Sequence, residues 1–157
     1  MWRVLGKSFH LWPNWLVKLI TLIHTKLIKF NHTKIGSYIL GGDILLLETK
    51  GIRTNKLRKV PLTYTEINEG YLVAASFGGR DRSPSWFYNI INNSGFVTVN
   101  KKKYEITAEI VKEDESDYFW NELLKIYPTF QIYRDRTDRK IPLIKLIKVY
   151  VSNLDQT

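Results

Sequence analysis

Beyond Gly41-Gly42 this chain is broken at short intervals by turn signals, and the pieces between them are long enough only for strands and brief helices. Ile44–Lys50 is an apolar run that ends at Gly51. After the turn Gly51–Asn55, Arg58–Ile67 alternates loosely; Pro61 marks an edge strand or a bulge, because proline has no N–H to give to a ladder. Asn68-Glu69-Gly70 is a turn, Tyr71–Ser76 the next strand, and Phe77–Pro84 a loop by composition. Ser83 or Ser85 can cap a short helix through Asn92. Phe96–Asn100 and Lys103–Val111 alternate as a hairpin, and Ile141–Val149 reads as a last strand. Glu113–Tyr127 is an amphipathic helix with Phe119, Leu123, Leu124 and Tyr127 on one stripe. Six strands with two or three helices in about 115 residues predict a mainly β fold with flanking helices, a small and mostly antiparallel barrel.

The segment before Gly41 has a different texture. Trp15–Phe30 is apolar but interrupted by Lys18, His24, Lys26 and Lys29, whereas a spanning helix needs about 20 mostly apolar residues. It has neither the unbroken run nor the small-residue cleavage site of a signal peptide. At about 100° per residue, Lys18, Thr21, Thr25 and Lys29 gather on one face while Leu16, Leu19, Ile20, Ile23, Leu27 and Phe30 cover much of the rest. Such a helix either caps a core or lies in a membrane interface, with Trp12 and Trp15 at the headgroups. Residues 1–42 are therefore expected to form an N-terminal amphipathic helical segment and residues 43–157 one domain. The expected location is the cytoplasm, with peripheral attachment to the inner face of the membrane through residues 12–30 as the sharper alternative.

Which chemistry is open to such a domain? The sequence has no cysteine, and its histidines, His10, His24 and His32, all precede Thr33. Disulfides, zinc–thiolate sites and thiol nucleophiles are excluded, as are a Ser-His-Asp triad or a His-rich metal site in the main body. No metal ligand set is expected, and an enzyme built on this body must borrow its chemistry from a cofactor. Charge narrows the partners. Residues 1–60 hold 11 Lys+Arg and 2 Asp+Glu, whereas residues 61–157 hold 13 of each, so the whole net +9 lies in the N-terminal third. That region can attract an anionic ligand, a membrane surface or nucleic acid.

Four segments, read in order, carry a resemblance. Leu47–Leu62 (LETKGIRTNKLRKVPL) resembles the TTxGRKSGKxRxxPL stretch of the deazaflavin-dependent nitroreductase family, and Ala75-Ser76-Phe77-Gly78-Gly79 resembles its ASKGG. Ser83–Ile90 (SPSWFYNI) is similar to HPxWYHNL, and Arg136–Leu143 (RTDRKIPL) to RTxRxIPV. Order and spacing hold across residues 43–149. The resemblance implies a split β-barrel of the flavin-reductase type and binding of the deazaflavin coenzyme F420. It also implies a cofactor site at Arg53, Thr54, Lys56, Arg58, Pro61, Ala75, Ser76, Phe77, Gly78, Gly79, Trp86 and Asn89, and often a homodimer.

The residues themselves suit that implication. Arg53, Lys56, Arg58 and Lys59 cluster around one turn, where they can meet an anionic phosphate and polyglutamate tail or form a solvated hairpin tip. Gly78-Gly79 lets backbone N–H groups approach a ligand, or is simply a turn. Trp86 reads as core or as cofactor support, and Asn89 as a hydrogen-bonding side chain or an ordinary exposed one. The family's YPxYxxY segment, which borders the substrate side of the ring, is here Tyr127-Pro128-Thr129-Phe130-Gln131-Ile132-Tyr133, with Phe130 in place of the middle tyrosine. Tyr133 and Tyr127 are the catalytic candidates, able to stack on a planar substrate and donate a proton; the same residues also read as an aromatic helix-end cluster that fills the core. Three further departures remove two positive charges and one imidazole from the rim. Ile52 stands for an arginine, Phe77 for the lysine of ASKGG, and Ser83 for the histidine of HPxW.

The leading expectation is an F420-dependent oxidoreductase that passes a hydride from the reduced coenzyme to a small-molecule acceptor: a quinone, an enone or a nitroaromatic. No nucleic-acid partner is expected on that reading. An FMN-binding or non-catalytic flavin-family protein is the alternative, and a basic membrane or nucleic-acid binder the third class.

Overall fold

A computed structural model describes residues 43–91 and 93–149. The amphipathic helix expected within residues 1–42, with Trp12 and Trp15, lies outside the described residues. Among the described residues no helix is long and apolar enough to cross a membrane.

The described residues form seven strands: β1 (Ile44–Lys50), β2 (Leu57–Thr63), β3 (Thr65–Ile67), β4 (Gly70–Ala74), β5 (Gly95–Val99), β6 (Lys102–Ile110) and β7 (Leu143–Lys148). They also form the helices α1 (Ser85–Ile90), α2 (Glu113–Ile126) and α3 (Thr129–Arg134) and a 3-10 turn at Phe77–Gly79. All strands join one sheet in the order β2-β1-β5-β6-β7-β4-β3, and every neighbouring pair is antiparallel.

That order has a geometric consequence. β2 and β3 are the two edges of the sheet, yet only Tyr64 separates them in sequence. Laid flat, seven strands about 4.8 Å apart would put the edges roughly 29 Å apart. One residue spans at most about 3.6 Å of chain. The sheet must therefore curl until its edges meet, which gives a half-barrel of split-barrel type. Tyr64 is the corner: it is buried, and its N–H donates to the Asp43 carbonyl at 3.1 Å. The single strand expected over 58–67 is thus two strands, because the chain changes edges at Tyr64. Pro61 sits in edge strand β2, where its missing N–H costs no ladder bond.

Alternation along the strands separates two cores. Leu45 and Leu47 of β1, Tyr71 and Val73 of β4, Val97 and Val99 of β5, Ile106 of β6, and Ile144 and Leu146 of β7 fill the inside of the curl, joined by Trp86, Phe87 and Ile90 of α1. Leu72, Ala74 and Leu143 point outward and meet Trp120 and Leu123 of α2 and Phe130 of α3. Covered on both sides, β4 is buried at all five positions. Helix α2 ends as the stripe predicted, one residue short at Ile126. Glu113, Asp114 and Glu115 in its first turn and Lys125 in its last suit the helix dipole. Neither Ser83 nor Ser85 caps α1; its N-cap is Pro84, and no side chain caps it.

Among the described residues one charged side chain is buried. Glu48 on β1 is 5% exposed and pairs with Lys59 of β2 at 2.8 Å and Lys103 of β6 at 3.2 Å. Burial pushes its carboxyl up, but hydrogen bonds and charge from the two lysines outweigh this and hold it below the ordinary carboxylate range.

Candidate functional site

The fold brings three of the predicted segments to one end of the curl. The first is the turn between β1 and β2. Arg53, Thr54, Lys56 and Arg58 are all exposed there, and Asn55 closes it with φ 52°. Arg58 donates to Thr54 Oγ1 at 3.5 Å, while Arg53 and Lys56 have no ion-pair partner among the described residues. Lys59 leaves the basic group, being held by Glu48. The turn is tethered from below, since the Ile52 N–H donates to Oδ1 of buried Asn89 at 3.2 Å. Asn89 thus uses its acceptor on the backbone 37 residues earlier. Trp86, one turn before it on α1, is core.

The glycine segment is the second. Ser76 is right-handed (φ −68°, ψ −38°), and the next three residues are all left-handed: Phe77 at φ 49°, Gly78 at 67° and Gly79 at 79°. A right-handed residue followed by a left-handed one turns successive N–H groups to the same side, the geometry of an anion-binding nest. The N–H groups of Ser76, Phe77 and Gly78 meet no acceptor among the described residues, whereas those of Ala75, Gly79 and Arg80 are bonded to Pro142, Ser76 and Phe77 carbonyls. Phe77 replaces a lysine of the family motif, but the charge is partly restored. The Arg80 and Arg82 guanidinium carbons lie 4.8 and 5.8 Å from the Phe77 ring centroid.

The third segment is α3, which the sequence did not show as a helix. It packs directly on the glycine turn: a Cβ placed on Gly79 would stand 2.7 Å from the Tyr133 carbonyl oxygen and 2.9 Å from Arg136 Cβ. Tyr133 therefore adjoins the nest. Tyr127, Phe130 and Tyr133 form one aromatic cluster with centroids 5.2 to 6.5 Å apart, and Phe130 is its buried member. Burial, with the neighbouring Tyr127 adding to it, raises the Tyr133 phenol far above its ordinary value of 10.0. The phenol stays protonated through the physiological range, so it is a hydrogen-bond donor and not a base. The Arg136 guanidinium carbon lies 6.0 Å from the Tyr133 ring centroid, and its Nη1 is buried with no hydrogen-bond partner among the described residues.

One residue of the site was quoted in a motif without a role. Arg139 donates from Nη2 to the Ala75 and Ser76 carbonyls, both at 2.9 Å, and from Nε to the Arg80 carbonyl at 2.7 Å. Its Nη1 reaches Ser83 Oγ at 3.5 Å and the Lys140 carbonyl at 3.4 Å. No carboxylate pairs with it among the described residues. A cleft of about 730 Å³, lined among others by Ile110, Trp120 and Ile141, also borders Arg139 but contains none of the residues predicted for the site from sequence.

Among the described residues the arrangement offers three N–H donors without an acceptor, cations without an ion-pair partner and a neutral phenol, and no group of metal-ligating side chains. It suits a planar, polar-edged cofactor with an anionic tail. Comparison with known proteins agrees. The F420H(2)-dependent quinone reductase family matches residues 21–148. An F420H(2)-dependent quinone reductase of Mycobacterium tuberculosis is 33% identical over 137 residues, covering 84% of this chain and 91% of the relative. The solved structure of an F420-H2 dependent reductase, FDR-A, superposes with a TM-score of 0.60 at 33% identity, over 66% of this chain and 92% of that one. A structure described as a domain-swapped dimer gives 0.62 at 29% identity, over 85% of this chain and 97% of that one. The resemblance drawn from the four motifs is borne out: the chain belongs to the F420H(2)-dependent quinone reductase family.

Proposed function

We propose that the protein is a reductase that uses reduced F420 to reduce a quinone. When bound, the deazaflavin supplies the hydride. The chain's own residues then have distinct tasks. Arg53, Thr54, Lys56 and Arg58 hold the anionic tail, and the exposure of Arg53 and Lys56 leaves their charge available for it. The N–H groups of Ser76, Phe77 and Gly78 hold the polar edge of the ring system, with Ala75 and Gly79 fixing the turn. Pro61 and Trp86 support the site from the sheet and the core. Tyr133, backed by Tyr127, donates a hydrogen bond to a carbonyl oxygen of the acceptor as negative charge grows there. The proton that completes reduction comes from solvent or through that phenol.

The observation that carries this reading is the set of three N–H groups, without a partner among the described residues, packed through Gly79 against the segment that bears Tyr133. Fluorescence titration of the full chain with F420 tests it. Binding at or below tens of micromolar, weakening as salt is raised, is expected, along with quinone-dependent oxidation of the reduced coenzyme. No binding in that range, or FMN that survives dialysis in its place, overturns it.

The same reading takes residues 43–157 as a flavin-reductase-type split barrel and residues 1–42 as its helical extension; the family match beginning at residue 21 supports treating the two as one unit. It places the protein as a homodimer at the cytoplasmic face of the membrane, held by residues 12–30. Liposome flotation with and without residues 1–32 tests the last point: equal flotation of both forms removes it.

A further inference from the structure

We infer that Arg139 is a positioning residue that builds the N–H nest from behind, a role that deepens the reading above and rests on it for its ligand. A chain can present three successive N–H groups on one side only if the carbonyls between them are drawn to the other. Here the Ala75 and Ser76 carbonyls both end on Arg139 Nη2 at 2.9 Å, and the Arg80 carbonyl ends on Nε at 2.7 Å. These three acceptors bracket the donors of Ser76, Phe77 and Gly78. The hold also compensates for strain, because Phe77 adopts φ 49° with a bulky side chain.

The fork of the guanidinium is what the task requires. Three N–H bonds leave one rigid plane toward three carbonyls of a single loop, which an ammonium on a flexible stem cannot reproduce. Charge adds a second effect. Arg139 has no ion-pair partner among the described residues, and Asp81, the nearest carboxylate acting on it, bonds Thr137 instead. The positive charge thus polarises the peptide units it holds, so that the N–H ends on the far side become better donors. Arg139 touches neither coenzyme nor acceptor in this scheme; it acts through the backbone of residues 75–80.

The test uses the full-length chain with Arg139→Lys and Arg139→Ala. Both variants are expected to bind F420 at least tenfold more weakly and to raise the coenzyme KM by a similar factor, while kcat at saturating coenzyme changes by less than threefold. Methylguanidinium at tens of millimolar should restore at least a third of the lost affinity to Arg139→Ala. Methylammonium or sodium chloride at the same concentration should not. Amide exchange gives a readout without any coenzyme. The Gly79 and Arg80 amides should exchange at least tenfold faster in both variants and slow again with methylguanidinium, while the β1–β5 amides stay as in the parent. If Arg139→Ala does not fold, Arg139→Lys decides by the same affinity and exchange measurements. Parental affinity and exchange in Arg139→Lys, or loss that methylguanidinium leaves untouched in a folded Arg139→Ala, overturns the inference. A parent chain that binds no F420 but shows the exchange pattern overturns the functional reading alone.

Discussion

Gly79→Ala should lower the melting temperature strongly, while Gly51→Ala should leave it near the parental value. At Gly79 the added Cβ meets backbone: 2.7 Å from the Tyr133 carbonyl oxygen, 3.1 Å from Tyr133 Cα and 2.9 Å from Arg136 Cβ. None of these is the far end of a flexible side chain, so either α3 or the glycine turn must move. Displacing packed backbone costs about 1–3 kcal/mol. Holding alanine at φ 79° adds about 1–2 kcal/mol. The sum is about 2–5 kcal/mol, which at about 2–4 °C per kcal/mol for a chain of this length is a drop of roughly 4–20 °C. At Gly51 the same atom meets the rotatable Thr54 hydroxyl at 3.0 Å, and the Lys56 carbonyl and Arg58 Nε at an ordinary 3.5 and 3.8 Å. Its cost should stay within about 1 kcal/mol. Differential scanning calorimetry or urea unfolding measures both, and F420 titration follows the site. Gly79→Ala should weaken coenzyme binding even where the protein remains folded, because the turn and Tyr133 are forced apart. A Gly79→Ala protein melting within 2 °C of the parent would refute the claim that turn and helix are locked backbone to backbone.

Three other perturbations read different parts of the molecule. Glu48→Gln removes a buried carboxylate from Lys59 and Lys103 and should cost about 1–2 kcal/mol at pH 7, after allowing for the exposure of Lys103. Because the folded carboxyl titrates below the unfolded value of 4.5, the parent keeps this stability above that pH and loses it as pH falls further; the variant should show a flatter acid limb in urea unfolding. Tyr133→Phe should cut kcat with a quinone by about tenfold or more, in the usual range for one positioned proton donor, and leave F420 affinity within threefold. In the parent the raised phenol predicts no fall in kcat/KM attributable to Tyr133 up to pH 10, and stability that declines only above that value. Asn89→Ala frees the Ile52 N–H and should cost about 1 kcal/mol, with an F420 affinity loss of a few fold that shrinks at high salt.

The β5–β6 hairpin, which follows simple alternation, was legible, and Val97, Val99 and Ile106 lie inward as that pattern puts them. The break at Tyr64 was not. Tyr64 is as strand-compatible as its neighbours, and only closure of the sheet, a property of all seven strands together, makes the chain change edges there. Helix α3 was missed because its six residues are too few for a helical period to emerge and carry no capping side chain. The glycine turn and the tyrosine segment were legible as separate motifs. Their contact was not, since it runs through the Tyr133 backbone and a missing Cβ. Asn89 looked available for a ligand because its partner is a main-chain N–H far away in sequence. Arg139 was silent for the same reason. It recognises carbonyls some 60 residues earlier, and a carbonyl leaves no mark on the identity of the residue that bears it.

The joint at Tyr64 also bears on how copies of this protein can associate. An open sheet offers two rows of unpaired backbone groups on which another chain can build, the usual route from a β protein to a fibre. Here one edge, β3, is three residues long, and the other, β2, carries Pro61 together with Arg58 and Lys59. The two edges adjoin at Tyr64, so among the described residues neither offers a long, uncharged row of backbone groups. Edge-to-edge growth is thereby disfavoured, which leaves the outer faces of the curl or the exchange of whole elements as the easier routes to an assembly.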